Sequence, residues 1–174
     1  MKPHEQHRAE SPHNLRIAVL TASSSRYYKK IRNEAYVDES GENAVQKLRD
    51  LGHNVEYLGV VNDDILMIRS TVLTALEKGF DVVVITGGTG LSPRDVTIEA
   101  LRPLFDKEVE GWGELFRVES YREIGSAAAL SRTTAGIVNG RLIIALPGSP
   151  EAVRLALKLL GPEIPHIIHI ARKT

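Results

Sequence analysis

The chain has 174 residues, of which 43% are hydrophobic and 25% are charged, a composition typical of an ordinary globular protein. Its 22 basic and 22 acidic residues give a formal net charge of zero, so no basic field points to nucleic acid and any anion site must be local. The absence of cysteine excludes disulfides and thiolate metal sites. No apolar run approaches the ~20 residues of a membrane span, and we expect a cytoplasmic protein.

Residues 1–14 are polar and rich in histidine, proline and glutamate. They lack the apolar core of a signal peptide, and we interpret them as a disordered tail. Because no internal repeat or linker interrupts the rest of the chain, residues 15–174 are predicted to form a single domain.

Apolar runs and amphipathic stretches alternate through the first part of the chain. Three apolar runs predict buried strands: residues 15–22, 54–61 and 81–85. Three further stretches predict helices: residues 41–51, 65–78 and 93–104. Ser40 is the predicted N-cap of the first helix, Gly52 and Gly79 end the first two, and the polar residues 23–39 are predicted to form a loop.

The second part of the chain has a less regular pattern. It predicts a surface loop at 106–115, an irregular strand at 116–121, a short helical segment at 125–130, a helix at 151–160 and an apolar segment at 162–170. Asn139-Gly140 predicts a hairpin that pairs residues 136–138 with 141–145. The whole pattern predicts an α/β protein, a three-layer α/β/α sandwich with a mostly parallel central sheet and a late hairpin.

The pentapeptide Thr86-Gly87-Gly88-Thr89-Gly90 directly follows the clearest predicted strand. In open α/β sheets, ligands bind outside the carboxyl ends of the strands. Three glycines within four residues expose backbone N–H groups, and the next helix adds its positive end, so the loop predicts a cradle for phosphate or another anion. It is neither a Walker A loop nor a GxGxxG motif, and a sharp strand-to-helix turn is the structural alternative.

Acidic residues follow two of the predicted strands. Ser92-Pro93-Arg94-Asp95 has the pattern of a helix capping box, while a crevice-facing Asp95 would help to bind Mg²⁺ beside phosphates. Asp63 and Asp64 follow the second strand, where helix capping by Asp63 is the alternative to a role in the site. Each acid therefore has a structural and a functional interpretation.

Other motifs are weaker when taken alone. Pro147-Gly148-Ser149-Pro150 is a second strand-to-helix turn that can offer N–H groups and a hydroxyl to an anion, and Ser131-Arg132 closes a short helical segment. His166 and His169 lack a third ligand in the sequence pattern, so no metal site is predicted from histidine. Trp112, between two glycines, is predicted to pack in the core or in an interface rather than against a substrate ring.

Five segments carry a resemblance that covers about residues 15–160. They are DESG (38–41), VVVITGGTGLSPRDVTIEAL (82–101), EVEGWGELFR (108–117), LSR (130–132) and LPGSPEAV (146–153). Together and in this order they resemble the molybdenum-cofactor biosynthesis family of MoaB and MogA, to which the first domains of gephyrin-type proteins are related. DESG and EVEGWGELFR are closer to the MoaB branch, and Ser23-Ser24-Ser25-Arg26 departs from MogA-type members, which tend to carry Asp before the Arg.

The resemblance implies a nucleotidyltransferase, a molybdopterin adenylyltransferase that converts ATP with Mg²⁺ and molybdopterin to adenylyl-molybdopterin and pyrophosphate. It also implies a homotrimer or homohexamer that hands its product to the metal-insertion enzyme of the pathway. The family's catalytic acids map onto Asp63 and Asp95, which would hold the Mg²⁺. The residues implied to contact molybdopterin or nucleotide are Ser25, Arg26, Asp38, Gly41, Thr86, Gly87, Gly88, Thr89, Gly90, Ser131, Pro147, Gly148 and Ser149.

Two other functions stay open. A non-catalytic protein that binds or delivers molybdopterin predicts tight pterin binding without pyrophosphate release. An oligomeric scaffold with a structural glycine turn predicts no ligand at the loop.

Overall fold

The computed structural model describes residues 11–173, and a six-stranded sheet lies at its centre. The strands are β1 (Arg16–Ala22), β2 (Asn54–Val61), β3 (Val82–Thr86), β4 (Lys107–Glu108), β5 (Thr134–Val138) and β6 (Arg141–Leu146). Their order across the sheet is β2-β1-β3-β6-β5-β4. The four adjacent strands β2, β1, β3 and β6 are parallel to one another. Strand β5 pairs antiparallel with β6, and β4 pairs antiparallel with β5. The predicted mostly parallel sheet with a late hairpin is confirmed.

Helices cover both faces of this sheet. They are α1 (Ser24–Ile31), α2 (Glu39–Asp50), α3 (Ile65–Glu77), α4 (Thr97–Leu101), α5 (Glu110–Ile124), α6 (Pro150–Leu160) and α7 (Ile164–Arg172). Side chains alternate between the faces of a strand. Val82 and Val84 therefore pack with α2, α5, α6 and α7, while Val83 and Ile85 pack with α3 and α4. The predicted three-layer α/β/α fold is confirmed.

The predicted loop at residues 23–39 is wrong in its first half, because α1 lies there. Ser23 is its N-cap, and the Ser23 hydroxyl accepts a hydrogen bond from the N–H of Arg26. Lys29 and Lys30 lie in the last turn, where positive charge complements the helix dipole. No residue of α1 is buried, so the segment lacks the buried apolar face that marks a core helix.

The predicted surface loop at 106–115 and the irregular strand at 116–121 are also wrong. Most of this segment forms the 15-residue helix α5, preceded by the short strand β4. Two glycines lower its intrinsic helix propensity, but tertiary packing outweighs that preference. Trp112 and Phe116 are buried with ring centroids 5.5 Å apart, and the Trp112 indole N–H donates to the Thr133 hydroxyl at 2.9 Å. The prediction that Trp112 packs in the core is confirmed.

Three predicted helix starts need correction. Helix α2 is capped by Asp38 rather than Ser40, because the Asp38 carboxylate accepts the N–H of Gly41 at 3.2 Å. Asp64 rather than Asp63 caps α3, by accepting the N–H of Met67 at 2.7 Å. The helix predicted to begin at residue 93 begins at Thr97, since the preceding residues close a separate turn.

The later predicted elements are confirmed. Asn139 and Gly140 have φ of 48° and 70°, the left-handed values that a tight hairpin turn requires, and they join β5 to β6. The apolar segment at 162–170 forms most of α7. The first ten residues of the predicted tail lie outside the described residues. Over residues 11–173, no helix combines the length and apolar character needed to cross a membrane.

Candidate active site

The loops after four parallel strands meet at one edge of the sheet. Because β2, β1, β3 and β6 are adjacent and run in the same direction, their carboxyl ends lie side by side. The residues that follow these ends are Asn62-Asp63-Asp64, Ser23-Ser24, Gly87 to Gly90 and Pro147-Gly148-Ser149. This edge is where open α/β sheets bind their ligands.

The glycine loop after β3 has a backbone that only glycine adopts readily. Gly87 and Gly88 have φ of 87° and 64°, and a Cβ on Gly87 would lie 2.5 Å from the carbonyl oxygen of Ala22. The N–H of Gly87 donates to the Leu146 carbonyl at 2.9 Å. Within residues 11–173, the next three N–H groups, of Gly88, Thr89 and Gly90, have no hydrogen-bond acceptor. The loop therefore offers consecutive donors to an anion.

Asp63 lies beside this loop and does not cap α3, the helix that follows it. One of its carboxylate oxygens, Oδ2, accepts both the N–H and the hydroxyl of Ser24, each at 2.7 Å. The other, Oδ1, would lie 3.0 Å from a Cβ placed on Gly88, so the carboxylate is adjacent to the loop. Since Asp64 takes the capping role, the local structural alternative does not account for Asp63.

Asp95 lies beside Gly90, further along the glycine loop, and lines a cleft together with the loop. Its Oδ2 accepts the N–H of Ser92 at 3.0 Å, the reciprocal bond expected of a capping box, although it closes a turn and not a helix. A Cβ on Gly90 would lie 2.6 Å from Oδ2 of Asp95. The turn and the cleft-facing position therefore coexist in one side chain.

The carboxylates of Asp63 and Asp95 each keep one oxygen, Oδ1, that makes no hydrogen bond with the described residues. Across residues 11–173, no three acidic or histidine side chains gather closely enough to hold a metal by themselves. Mg²⁺ in nucleotide sites is held by one or two carboxylates together with substrate phosphates. Asp63 beside Gly88 and Asp95 beside Gly90 are carboxylates of the kind that this donor set requires.

A cleft of about 360 Å³ lies at the glycine loop and Asp95. It is lined by Gly87, Gly88, Thr89, Gly90, Asp95, Leu130, Ser131, Arg132, Pro147 and Gly148. The turn after β6 packs directly on the glycine loop, since a Cβ on Gly148 would lie 3.1 Å from the Gly87 Cα. Arg132 forms an ion pair with Glu99 at the rim of the cleft and is the cationic side chain among the lining residues.

Several predicted ligand-contacting residues lie behind the cleft instead of lining it. Asp38 is buried, and one of its carboxylate oxygens accepts the hydroxyl of Thr21 at 2.7 Å. The Thr21 and Thr86 hydroxyl oxygens are 3.2 Å apart, which extends this buried chain to the end of β3. Gly41 packs against Asp38, because a Cβ there would lie 2.9 Å from the Asp38 carboxyl carbon. These residues form a buried layer of contacts beneath the end of β3, where the glycine loop begins.

Three other predicted contacts make local hydrogen bonds and are not among the residues that line the cleft. The Ser25 hydroxyl lies 3.2 Å from that of Ser23, and the Arg26 guanidinium donates to the Val37 carbonyl at 2.8 Å. Ser149 is the N-cap of α6, with its hydroxyl accepting the N–H of Ala152 at 3.2 Å. Ser149 therefore directs the positive end of an 11-residue helix toward the turn after β6.

Two residues that sequence reasoning did not select contribute to the site. Ser24 holds Asp63, and Arg132 lines the cleft. Arg132 had a usable signal, because it belongs to the LSR segment that carries the family resemblance. Ser24 had none, since its partner lies 39 residues away in the chain.

Comparison with known proteins identifies the family to which this site belongs. A sequence profile of the family described as "probable molybdopterin binding domain" matches residues 18–166. The chain belongs to this family. The matched span contains every predicted site residue, from Ser25 to Ser149, and the resemblance to MoaB and MogA is confirmed.

Relatives of this molybdopterin-binding domain protein match over nearly their whole length. A molybdopterin adenylyltransferase of Pyrococcus furiosus is 40% identical over 173 residues, which cover 97% of this chain and 98% of the relative. Molybdenum cofactor biosynthesis protein B of Bacillus subtilis is 40% identical over 172 residues, 97% of each chain. The crystal structure of the tungsten cofactor synthesizing protein MoaB from Pyrococcus furiosus has a TM-score of 0.83 and 38% identity, covering 94% of this chain and 100% of that one.

Proposed function

We propose that this molybdopterin-binding domain protein acts in molybdenum-cofactor biosynthesis by transferring the adenylyl group of ATP to molybdopterin. The observation that carries the proposal is the glycine loop, whose N–H groups have no acceptor among the described residues and which has Asp63 beside Gly88 and Asp95 beside Gly90. The N–H donors of that loop suit phosphate oxygens as acceptors, and both substrates carry phosphate. A relative named molybdopterin adenylyltransferase, 40% identical over nearly the full chain, supports the same activity.

The chemistry needs little acid–base assistance. An oxygen of the molybdopterin terminal phosphate forms a bond to the α-phosphorus of ATP. The bond from that phosphorus to the oxygen bridging to the β-phosphate breaks, and pyrophosphate leaves with the electron pair. The attacking phosphate is already anionic at neutral pH, so the main barrier is the repulsion between two polyanions, which fixed donors of the protein reduce.

The chain's own groups divide this work between them. The N–H groups of Gly88, Thr89 and Gly90 hold phosphate oxygens, and the N-terminus of α6 offers a further positive end beside Gly148. The free oxygens of Asp63 and Asp95 would hold Mg²⁺. When bound, Mg²⁺ neutralises charge at the transferring phosphate.

The decisive experiment incubates the protein with molybdopterin and Mg²⁺-ATP and measures pterin binding and pyrophosphate release together. The wild type should release pyrophosphate in step with adenylyl-molybdopterin. Asp95→Asn should fold normally yet lose most of its turnover, about 10²-fold or more, since a carboxylate ligand is removed. Asp50→Asn is the matched control, because Asp50 is exposed on α2 and bonds only to the Gln46 side chain, at 2.8 Å.

Each other outcome assigns a different role. Tight molybdopterin binding without pyrophosphate release would identify a binding or delivery protein and exclude the adenylyl transfer. Binding of neither ligand would leave a structural turn at the loop. Turnover by Asp95→Asn at the wild-type rate would exclude the metal-holding role of Asp95.

We also propose that the protein works as a homotrimer or homohexamer and passes its product to the pathway's metal-insertion enzyme in the cytoplasm. Support for self-association comes from large apolar side chains exposed along α5 and the turn after it. They are Leu115, Val118, Tyr121, Ile124 and Leu130, each at least 47% exposed. Exposed apolar patches of this kind mark interaction surfaces. Light scattering after gel filtration should give three or six chains, and Val118→Glu should yield smaller species; a monomeric wild type would exclude the assembly.

A further inference from the structure

Thr97, the first residue of α4, is fully buried beneath the glycine loop and makes two hydrogen bonds to it. Its hydroxyl donates to the carbonyl of Gly87 at 2.9 Å, and its N–H donates to the carbonyl of Gly88, also at 2.9 Å. A Cβ on Gly88 would overlap the Thr97 hydroxyl. One side chain and its own backbone thus fix two successive peptide units of the loop.

The direction of these bonds decides what remains for a ligand. A peptide unit is planar, so fixing its carbonyl on one side fixes the N–H that follows on the other side. With the Gly87 and Gly88 carbonyls held by Thr97, the N–H groups of Gly88 and Thr89 are left without an acceptor among the described residues.

A purely helical role does not explain the Thr97 hydroxyl. The first turn of a helix has spare N–H donors, so a capping side chain must accept hydrogen bonds. The Thr97 hydroxyl donates instead, and the N-cap Val96 makes no side-chain cap bond. The hydroxyl therefore serves the loop and not α4.

We propose that Thr97 is a positioning residue that holds the glycine loop in its anion-binding conformation. It acts through Gly87 and Gly88 and does not itself contact the substrate. This inference rests on the proposed function for the identity of the anion, the phosphates of ATP, but its geometry concerns any phosphate bound at the loop.

The test compares Thr97→Val, which keeps the shape and removes the hydroxyl, with Thr97→Ser, which keeps the hydroxyl. Calorimetric titration with Mg²⁺-ATP and with inorganic pyrophosphate gives each dissociation constant. Thr97→Val should weaken both about ten-fold, the effect of one lost hydrogen bond in a preorganised site, and Thr97→Ser should stay within about two-fold of wild type. Thr97→Ala removes the same hydroxyl without a second methyl group, should the valine strain the buried position.

Thr71→Val is the matched control. The Thr71 hydroxyl also donates to a backbone carbonyl, that of Met67 at 2.8 Å, but on α3 and away from the cleft. A role in stability alone predicts that Thr97→Val and Thr71→Val both lower the unfolding midpoint and leave the two dissociation constants unchanged. That result would overturn the proposal, as would a Thr97→Ser variant that binds as weakly as Thr97→Val.

The same measurements separate this inference from the adenylyl transfer. If the wild type binds Mg²⁺-ATP but never releases pyrophosphate with molybdopterin, the transfer fails and the role of Thr97 is still decided by binding. If the wild type turns over and Thr97→Val binds ATP equally well, only the role of Thr97 fails. If the wild type binds neither ATP nor pyrophosphate, both fail.

Discussion

The backbone N–H and the hydroxyl of Ser24 both donate to a single carboxylate oxygen of Asp63, each over 2.7 Å. Ser24 is the first residue of α1, so the Asp63 carboxylate also lies at the positive end of an eight-residue helix. These contacts join the end of β2 to the start of α1 and leave the second oxygen of Asp63 next to Gly88. The orientation of Asp63 is thereby set by a residue that needs no contact with substrate.

Ser24→Ala should therefore slow the reaction while leaving the fold intact. The variant keeps the N–H bond and loses the hydroxyl bond to a charged acceptor, which predicts a fall in kcat of about ten-fold. Ser70→Ala is the control, because the Ser70 hydroxyl on α3 donates to the Met67 carbonyl at 3.1 Å and makes no bond to Asp63. Steady-state pyrophosphate release measures both, and equal kcat values for the two variants would contradict the assignment.

Gly88→Ala should weaken ligand binding, whereas Gly111→Ala should stabilise the fold without affecting binding. At Gly88, φ is 64° and a Cβ would lie 3.0 Å from the Asp63 carboxylate, so alanine distorts the loop and should weaken Mg²⁺-ATP binding at least about ten-fold. Gly111 lies inside α5 with no atom within 4 Å of a Cβ. Alanine there should raise the free energy of unfolding by about 0.5–1 kcal/mol and leave binding unchanged. Urea titration and calorimetry give both quantities, and unchanged ATP binding by Gly88→Ala would refute the strained-loop account.

His53 should make the protein less stable in mild acid. Burial lowers the pKa of His53 and the nearby His13 lowers it further, while its Nδ1 has no partner among the described residues. The unfolded chain therefore takes up a proton at this side chain at higher pH than the folded chain does. The free energy of unfolding gains nothing further from this group above about pH 6.5 and falls as the pH drops below that value.

The measurement for His53 is urea unfolding at about pH 7.5 and about pH 5.5, in wild type and His53→Gln. The variant should lose less stability than the wild type between the two pH values, because its side chain does not titrate. An equal loss in both proteins would assign the pH dependence to other groups.

Two helix caps should differ in their effect on stability. Asp64→Ala removes an exposed cap, the bond to the Met67 N–H, and should cost about 1 kcal/mol of unfolding free energy. Asp38→Ala removes a buried cap and also deprives the Thr21 hydroxyl of its acceptor, so the cost should rise to about 2–3 kcal/mol. Urea unfolding of the two variants decides the point, and equal costs would mean that the buried Thr21 bond contributes little.

The central strands of the sheet could be predicted because they are buried on both faces. Strands β1 and β3 are buried on both faces, so their sequences are nearly unbroken apolar runs, and the hairpin follows from the turn chemistry of Asn139-Gly140. Helix α1 is only eight residues long and buries none of them, so it has no core-facing residues that would mark it in the sequence. Helix α5 is stabilised by the packing of Trp112, which outweighs two glycines that favour a loop.

The candidate site was predictable at the level of its loops but not of its supporting contacts. The glycine loop and Asp95 follow a recognisable strand, and parallel topology brings the loop after β6 beside them. The residues that orient these groups, Ser24 and Thr97, lie 39 and 10 positions from their partners. Contacts at those separations depend on the folded backbone and leave no local pattern in the sequence.

The close approach of Gly148 to Gly87 has an evolutionary consequence. The turn after β6 and the loop after β3 touch through backbone atoms, because a Cβ on Gly148 would lie 3.1 Å from the Gly87 Cα. A side chain gained at Gly148 presses on the Gly87 backbone, so a substitution at Gly148 depends on whether the loop after β3 can shift with it. Substitutions in the two loops should therefore be coupled during evolution, although 61 positions separate these glycines along the chain.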